Sequence, residues 1–254
     1  MKGAETIFIN KKSEIGILMI HGFTSTPHQF TELSKFLAEK GYTVYAFVVA
    51  GHGTCPDDLI KTCPKDWCQS VKEAYLELRK KVKKVIVIGN SFGGNLAFNL
   101  AKDISDDSLA GIISLGAPIK LRFHSFILFR YYTYGRFQKY YHKPPRAYKT
   151  DYTDMADEVT YPVIPVKSLK EFLDFLKYET ALNLEKVKAP VLVAHADVDP
   201  VVHPKSATYI YEHLGSSFKK IYWFESNRHI LTNDKFNHDL FNKIYSFICE
   251  IKNT

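Results

Sequence analysis

A serine flanked by glycines follows directly after a short run of apolar residues. The run is Val85-Ile86-Val87-Ile88, and the next five residues are Gly89-Asn90-Ser91-Phe92-Gly93. Because the run is typical of a buried strand, this Gly-x-Ser-x-Gly motif lies where a strand would end and a helix begin. A tight turn of that kind needs unusual backbone angles and small neighbours, which glycines provide. The pattern predicts that Ser91 is a nucleophile; a Gly-Ser turn in an ordinary loop is the alternative.

Strand-like and helix-like segments alternate along most of the chain. Apolar, β-branched runs predict strands at residues 15–20, 42–47, 84–88, 109–115, 190–194 and 219–224. Apolar residues at helical spacing predict helices between these strands and a last helix over residues 236–251. Since such alternation forms right-handed βαβ units, we predict an α/β fold with a mostly parallel central sheet flanked by helices.

The alternation stops between residue 119 and about residue 180. Aromatic and basic residues fill this stretch, and prolines interrupt it at positions 144, 145, 162 and 165. Connections in a parallel sheet leave the carboxyl ends of its strands, the edge where Ser91 would lie. We therefore predict one core built from residues 1–118 and 181–254, with residues 119–180 inserted as a cap over the site.

Positive charge is concentrated in this predicted cap. The formal net charge of the chain is +7 at pH 7, and residues 119–150 hold eight Lys or Arg, ten aromatic residues and no Asp or Glu. Such a stretch suits peripheral contact with a membrane or micelle surface. Alternatively, the rings line an acyl tunnel and the charges are solvated. Nucleic-acid binding is not expected, because no recognition motif accompanies the basic residues.

The remaining composition favours a cytoplasmic protein. No basic-then-apolar signal region is present at the N-terminus, and no apolar run approaches the roughly 18 residues of a membrane span. The four cysteines lack the paired spacing of zinc or redox sites, so we expect free thiols and no metal. A disulfide from Cys55 to Cys63 or Cys68 is the alternative.

Two aspartates are candidates for the acid that a serine nucleophile requires. The serine needs a histidine to take its proton, and the histidine needs a carboxylate to hold its tautomer. The predicted strand at residues 190–194 leads into His195-Ala196-Asp197-Val198-Asp199. We favour Asp199 as the acid, with Asp197 as the alternative.

The general base is expected in the loop after the last predicted strand. Residues 225–229 follow that strand and end in His229, which gives the chain order Ser91, Asp199, His229. His195 and His203, near the predicted acid, are the alternatives. Two backbone N–H groups are placed to bind an oxyanion: that of Phe92, directly after the serine, and that of Phe23, in the turn after the first long strand.

Several motifs together resemble those of one enzyme family. They are His21-Gly22-Phe23-Thr24, Gly51-His52-Gly53-Thr54, Asp66-Trp67, Gly89-Asn90-Ser91-Phe92-Gly93-Gly94, Asp199-Pro200-Val201-Val202 and Arg228-His229. Over nearly its whole length the chain resembles bacterial monoacylglycerol lipases and small carboxylesterases, which have the α/β-hydrolase fold. The resemblance implies a triad acid at Asp199, an oxyanion hole at Phe23 and Phe92, and no cofactor. Asn90 departs from the pattern, because related enzymes often carry a hydrophobic residue or another side chain there.

The resemblance also implies a residue that recognises the substrate. In bacterial monoacylglycerol lipases, a glutamate before a Tyr-Pro pair at the end of the cap contacts the glycerol hydroxyls, and Glu158 matches it here. A carboxylate can accept two hydroxyl donors. A solvated surface acid is the alternative.

These patterns predict a serine hydrolase that cleaves carboxylic esters through an acyl-enzyme. Monoacylglycerol is the favoured substrate, and a simple short- to medium-chain ester is the alternative. A carbon-carbon bond hydrolase and a slow-turnover binding protein on the same fold are the rivals, because both can retain the triad. No pattern in the sequence predicts an oligomeric state.

Overall fold

The chain forms a central sheet flanked by helices, and the computed structural model describes residues 1, 3–104, 106–133, 135–143, 160–226, 228–229, 232 and 238–252. Its strands are β1 (Ile7–Ile9), β2 (Ile15–Ile20), β3 (Thr43–Phe47), β4 (Lys84–Asn90), β5 (Leu109–Leu115), β6 (Tyr140–His142), β7 (Val163–Pro165), β8 (Val191–Ala196) and β9 (Lys219–Phe224). Its helices are α1 (Thr31–Glu39), α2 (Pro56–Ile60), α3 (Pro64–Arg79), α4 (Phe92–Ala101), α5 (His124–Thr133), α6 (Val166–Asp174), α7 (Lys205–His213) and α8 (His238–Lys252).

The central sheet has seven strands in the order β1-β3-β2-β4-β5-β8-β9. β1 is antiparallel to β3, and the other neighbouring strands are parallel to each other. The predicted α/β class with a mostly parallel sheet is therefore confirmed, and all six predicted strands are present. The sequence does not predict β1, because a three-residue edge strand is too short to show a clear period.

Different helices cover the two faces of the sheet. A parallel sheet buries both of its faces, and all six residues of β2 are accordingly buried. Leu18 and Ile20 of β2 pack in a cluster with α3, α4 and α7, whereas Ile17 and Met19 pack in a second cluster with α1 and α8. The central strands therefore form a fixed base for the loops at their carboxyl ends.

Between β5 and β8 the chain leaves the central sheet, and this stretch contains the predicted cap. β6 and β7 pair with each other as a separate antiparallel sheet. Leu169 and Phe172 of α6 join the core cluster, and the Ser168 hydroxyl donates to the carbonyl of Leu59 at 3.2 Å. α5, in contrast, has no buried residue. The boundaries of the predicted cap stay a prediction.

The cysteines are free, and one of them caps a helix. All four are free thiols, so neither alternative disulfide from Cys55 is present. Cys63 precedes α3, and its N–H donates to the carboxylate of Asp66 at 2.9 Å as part of a capping box. In the part of the chain that the structure describes, no helix combines the length and apolar character needed to cross a bilayer.

The start of α4 lies so close to β2 that Gly93 has no room for a side chain. A Cβ added there would lie 1.9 Å from the carbonyl oxygen of Ile20. Because this neighbour is backbone in a buried strand, we expect Gly93→Ala to lower the free energy of unfolding by about 3 kcal/mol or more. Urea denaturation measures this change.

Gly41→Ala is the control for backbone strain without a steric clash. Gly41 has φ +93°, and a Cβ there would meet no atom within 4 Å. Its substitution should lower the free energy of unfolding by only about 1–2 kcal/mol, the strain of a left-handed conformation. Equal losses in the two variants would contradict the close contact at Gly93.

Candidate active site

Ser91 lies on a strained turn between β4 and α4. Its backbone has φ +53° and ψ −121°, a conformation that non-glycine residues rarely adopt. The turn is held by two hydrogen bonds, from the Ser91 N–H to the carbonyl of Leu115 at 2.7 Å and from the Gly94 N–H to the carbonyl of Ser91 at 2.9 Å. This geometry raises the serine above the carboxyl edge of the sheet, as in a nucleophile elbow.

Three side chains from separate loops form a hydrogen-bonded chain at this edge. Ser91 Oγ lies 2.9 Å from His229 Nε2, and His229 Nδ1 lies 2.7 Å from Asp199 Oδ2. Since a carboxylate can only accept, the imidazole carries its proton on Nδ1, and Nε2 is left to accept from the serine hydroxyl. The structure thus brings together the three residues predicted as nucleophile, acid and base.

Asp199 stays ionised although it is almost completely buried. Its side chain is 1% exposed, and burial alone would raise its pKa. The opposing contributions come from His229 and from the N–H groups of Val202 and Val201, which donate to Oδ1 at 2.8 and 2.7 Å. Together they hold the pKa of Asp199 below its usual value, so the carboxylate is charged at neutral pH.

The alternative acid and bases lie elsewhere around the site. Asp197 is exposed, and its carboxylate accepts from the N–H of Ser226 at 3.0 Å. His195 is buried, with Nε2 3.9 Å from Asp199 Oδ2, and burial lowers its pKa to about 4. His203 accepts from the N–H of Lys205 at 3.2 Å. Of the histidines that the structure describes, His229 is the one that reaches the Ser91 hydroxyl.

The two predicted oxyanion donors belong to segments that flank the serine. Phe92 begins α4, and Phe23 follows the end of β2. A Cβ on Gly22 would lie 3.3 Å from that of Ser91, so the loop that carries Phe23 packs directly against Ser91. The rings of Phe23 and Phe92 also meet, with centroids 5.6 Å apart. The two segments are therefore held together beside the serine, while their role as donors stays a prediction.

His21 holds the loop that carries Phe23, a function that the sequence pattern does not reveal. Nδ1 of His21 donates to the carbonyl of Gly22 at 2.9 Å, and Nε2 accepts from the N–H of Val49 at 3.0 Å. Burial, together with nearby His52, lowers the pKa of His21 to about 3, so the ring is neutral. Gly22 is typical of a tight turn, but no local pattern indicates the partner of His21 at Val49, which lies 28 residues away.

A large apolar cavity opens beside Ser91 and His229. It has a volume of about 920 Å³, within the range of small-molecule sites. Aromatic and aliphatic side chains of the predicted cap form much of its wall: Phe123, Phe126, Ile127, Tyr141, Ile164, Leu169 and Phe172. Glu158, the predicted substrate-recognition residue, lies outside the described residues. The cavity is therefore suited to an apolar chain whose reactive end reaches Ser91.

Basic side chains lie at the same cavity. Arg122, Arg130 and Lys143 all contribute to its wall, and no Asp or Glu is among its described lining residues. Lys143 Nζ donates to the hydroxyl of Thr24 at 2.7 Å, and burial lowers the pKa of this lysine to about 7. No group of three or more His, Cys, Asp or Glu suited to a metal ion occurs in the described ranges.

The chain is similar to known ester hydrolases over most of its length. A carboxylesterase of Bacillus subtilis (strain 168) is 26% identical over 243 residues, which cover 95% of this chain and 95% of that protein. A thermostable monoacylglycerol lipase of Bacillus sp. (strain H-257) is 32% identical over 238 residues, covering 92% of this chain and 90% of that protein.

The fold is also similar to that of a lipolytic enzyme. A solved structure from work on LipS and LipT, two metagenome-derived lipolytic enzymes, superposes with a TM-score of 0.87 and 27% identity, covering 98% of this chain and 99% of that chain. Residues 11–236 match the model of the family described as serine aminopeptidase, S33. The expected resemblance is confirmed: this chain has the α/β-hydrolase fold and belongs to the S33 serine aminopeptidase family.

Proposed function

We propose that this chain is a carboxylic ester hydrolase that uses Ser91 as its nucleophile. The observation that carries the proposal is the hydrogen-bonded chain of Ser91, His229 and Asp199, with distances of 2.9 and 2.7 Å. Two relatives that align over nine-tenths or more of this chain are named as a carboxylesterase and a monoacylglycerol lipase. Their names support ester hydrolysis as the reaction of this site.

The reaction proceeds through an acyl-enzyme. Ser91 Oγ attacks the ester carbonyl carbon while His229 Nε2 takes the hydroxyl proton, and Asp199 stabilises the resulting imidazolium. The N–H groups of Phe23 and Phe92 bind the oxyanion, and the positive end of the α4 dipole supports it. His229 then protonates the leaving alcohol, and a water molecule hydrolyses the acyl-enzyme in the reverse sense. Neither half of the reaction uses a metal ion or an organic cofactor.

Monoacylglycerol is the substrate that we propose. The relative at 32% identity is named as a monoacylglycerol lipase, and the apolar cavity beside Ser91 is large enough to hold an acyl chain. Each buried methylene contributes roughly 0.8 kcal/mol to binding. In this scheme residues 119–180 form the cap that encloses the chain, and Glu158 accepts hydrogen bonds from the glycerol hydroxyls.

A simple carboxylic ester is the alternative substrate, as the name of the second relative suggests. Two rivals differ in the reaction itself. A carbon-carbon bond hydrolase would cleave β-diketones rather than esters. A slow-turnover binding protein would react once with a fluorophosphonate and hydrolyse no ester. Parallel assays with these three compounds separate the candidates.

We further propose that the predicted cap contacts a lipid surface. Among its described aromatic side chains, five are between 55% and 77% exposed: Phe123, Phe126, Phe129, Tyr132 and Phe137. Basic residues accompany them, including Lys120, Arg122 and Lys139. Aromatic rings favour the boundary between headgroups and acyl chains, and Lys or Arg meet anionic lipid there. We therefore propose that the enzyme lies at the periphery of a membrane, and the cytoplasm stays the compartment that we expect from the sequence.

Substitutions in the three-residue chain should separate the two aspartates. We expect Ser91→Ala to lower kcat for a 4-nitrophenyl ester by roughly 10⁴- to 10⁶-fold. Asp199→Asn should lower it by about 10⁴-fold, because the amide favours the wrong imidazole tautomer. Asp197→Asn, the matched control, should stay within about threefold of the native enzyme, since Asp197 is exposed. A larger loss in the Asp197 variant would reassign the acid.

The role of Glu158 is tested by holding the acyl chain constant. We expect a higher kcat/KM for a 1-monoacylglycerol than for the methyl ester of the same fatty acid. Glu158→Gln should reduce this ratio by about tenfold, because hydrogen bonds to a charged acceptor are stronger by about 1–1.5 kcal/mol. The neighbouring Asp157→Asn variant is the control. Equal rates on both esters, unaffected by Glu158, would identify a general carboxylesterase.

Lipid contact is tested with exposed rings that do not line the cavity. The double variant Phe129→Ser/Phe137→Ser should have an affinity for vesicles of phosphatidylcholine and phosphatidylglycerol that is lower by about tenfold or more. Burying one Phe side chain in the membrane contributes roughly 1.5–3 kcal/mol to binding. Sedimentation with vesicles measures the binding. Leu76→Ser removes an apolar side chain that is 50% exposed on α3 and should have no effect. Unchanged binding of the double variant would refute the proposed surface.

A further inference from the structure

Two buried amide side chains, those of Gln29 and Asn90, form a hydrogen-bonded link between the loop after β2 and the end of β4. Gln29 lies in the short 3₁₀ helix Pro27–Phe30, and Asn90 is the last residue of β4. They are 2% and 0% exposed, and they lie 61 residues apart in sequence. Neither belongs to the triad or to the predicted oxyanion donors. Both nevertheless line the cavity beside the nucleophile.

The hydrogen bonds determine how the two amide groups are oriented. The backbone N–H of Gly22 lies 3.0 Å from Gln29 Oε1, and because an N–H can only donate, the atom facing it is the oxygen. Asn90 Nδ2 donates to the same Gln29 Oε1 at 3.1 Å. Gln29 Oε1 therefore accepts two hydrogen bonds, one from the loop and one from the side chain next to Ser91.

This orientation leaves the other atom of the Asn90 amide unsatisfied. Asn90 Oδ1 is buried and has no hydrogen-bond partner among the described residues. A buried acceptor without a partner is unfavourable for folding, and a hydrophobic side chain of similar size would avoid it. The stability of the fold does not account for Asn90, whereas the geometry of the site offers a role for it.

These two hydrogen bonds, which we call the Gln29–Asn90 bridge, act on the segment that carries one predicted oxyanion donor. Gly22 immediately precedes Phe23, and a Cβ on Gly22 would lie 3.3 Å from that of Ser91 and 3.4 Å from the backbone oxygen of Asn90. The Gly22 N–H belongs to the peptide directly before the one that carries the Phe23 N–H, so its hydrogen bond to Gln29 restrains Gly22, from which the Phe23 N–H extends. A small shift of this donor relative to Ser91 would weaken its hydrogen bond to an oxyanion.

We propose that Gln29 and Asn90 are positioning residues, which hold Gly22 against the Ser91 turn so that the N–H of the next residue, Phe23, can stabilise the oxyanion. The proposal rests on the ester hydrolysis proposed above. Gln29 is the acceptor that orients Gly22, and Asn90 orients Gln29. The two side chains therefore work as one unit, and the effect of Asn90 depends on the presence of Gln29.

The experiment compares Gln29→Met, Asn90→Leu and the double variant, which keep side-chain size but remove the acceptor and the donor. We expect kcat for a 4-nitrophenyl ester to fall about 10- to 100-fold in Gln29→Met and about 3- to 10-fold in Asn90→Leu, with KM within about threefold. Adding Asn90→Leu to Gln29→Met should produce no further loss. Equal losses from Asn90→Leu in both backgrounds would overturn the proposal.

A second measurement separates positioning from general disruption. A trifluoromethyl ketone forms a tetrahedral adduct with serine, so its inhibition constant should rise in step with the loss of kcat, whereas that of a fatty alcohol should not change. Asn99→Leu removes a buried amide of α4 that contacts Glu179, and serves as the matched control with native kcat. Equal weakening of both inhibitors in Asn90→Leu would indicate a merely structural role.

The outcomes distinguish this inference from the proposed function. Native enzyme that hydrolyses no ester would overturn the proposed function itself. Native enzyme that hydrolyses esters, with Asn90→Leu and Gln29→Met at native kcat, would overturn only the positioning role. If Gln29→Met does not fold, the comparison of Asn90→Leu with Asn99→Leu decides: a kcat loss confined to Asn90→Leu supports the role, and equal values refute it.

Discussion

The close approach of two backbone segments at the carboxyl edge of the sheet determines the structure around Ser91. The start of α4 lies against the end of β2, with the position of a Gly93 Cβ only 1.9 Å from the carbonyl oxygen of Ile20. The chain must therefore change from strand to helix within one residue, which forces Ser91 to φ +53°. Such strain persists only where the surroundings over-determine it, and the buried strands β2 and β4 provide that support.

Burial controls the charge of the groups around this turn. It lowers the pKa of His21 to about 3 and those of His52 and His195 to about 4, so these rings are neutral at physiological pH. Asp199 is buried as well, but His229 and two backbone N–H groups compensate its charge. A charged carboxylate therefore lies beside His229 in apolar surroundings, where its interaction with a developing imidazolium is strong.

The aromatic residues of the predicted cap divide between two environments. Phe172 of α6 is buried and stacks on Phe23 at a centroid distance of 4.7 Å, which connects this segment to the loop beside Ser91. On α5, Phe126 lines the cavity, while Phe129 is 62% exposed and is absent from the cavity wall. From the sequence, lining an acyl tunnel and contacting a surface are alternative roles for these rings. In the structure, Phe126 is placed for the first role and Phe129 for the second.

The sequence by itself determined the strand-turn-helix around Ser91, the parallel α/β class and the chain order of the hydrogen-bonded residues Ser91, Asp199 and His229, because these depend on local patterns and on loops that share one sheet edge. Only the tertiary structure decided between Asp199 and Asp197 as the partner of His229, since the two carboxylates follow the same strand and differ only in how the loop after β8 folds. It also revealed the bridge from Gln29 to Asn90. Contacts between residues 61 positions apart arise from packing, which neighbouring residues do not encode.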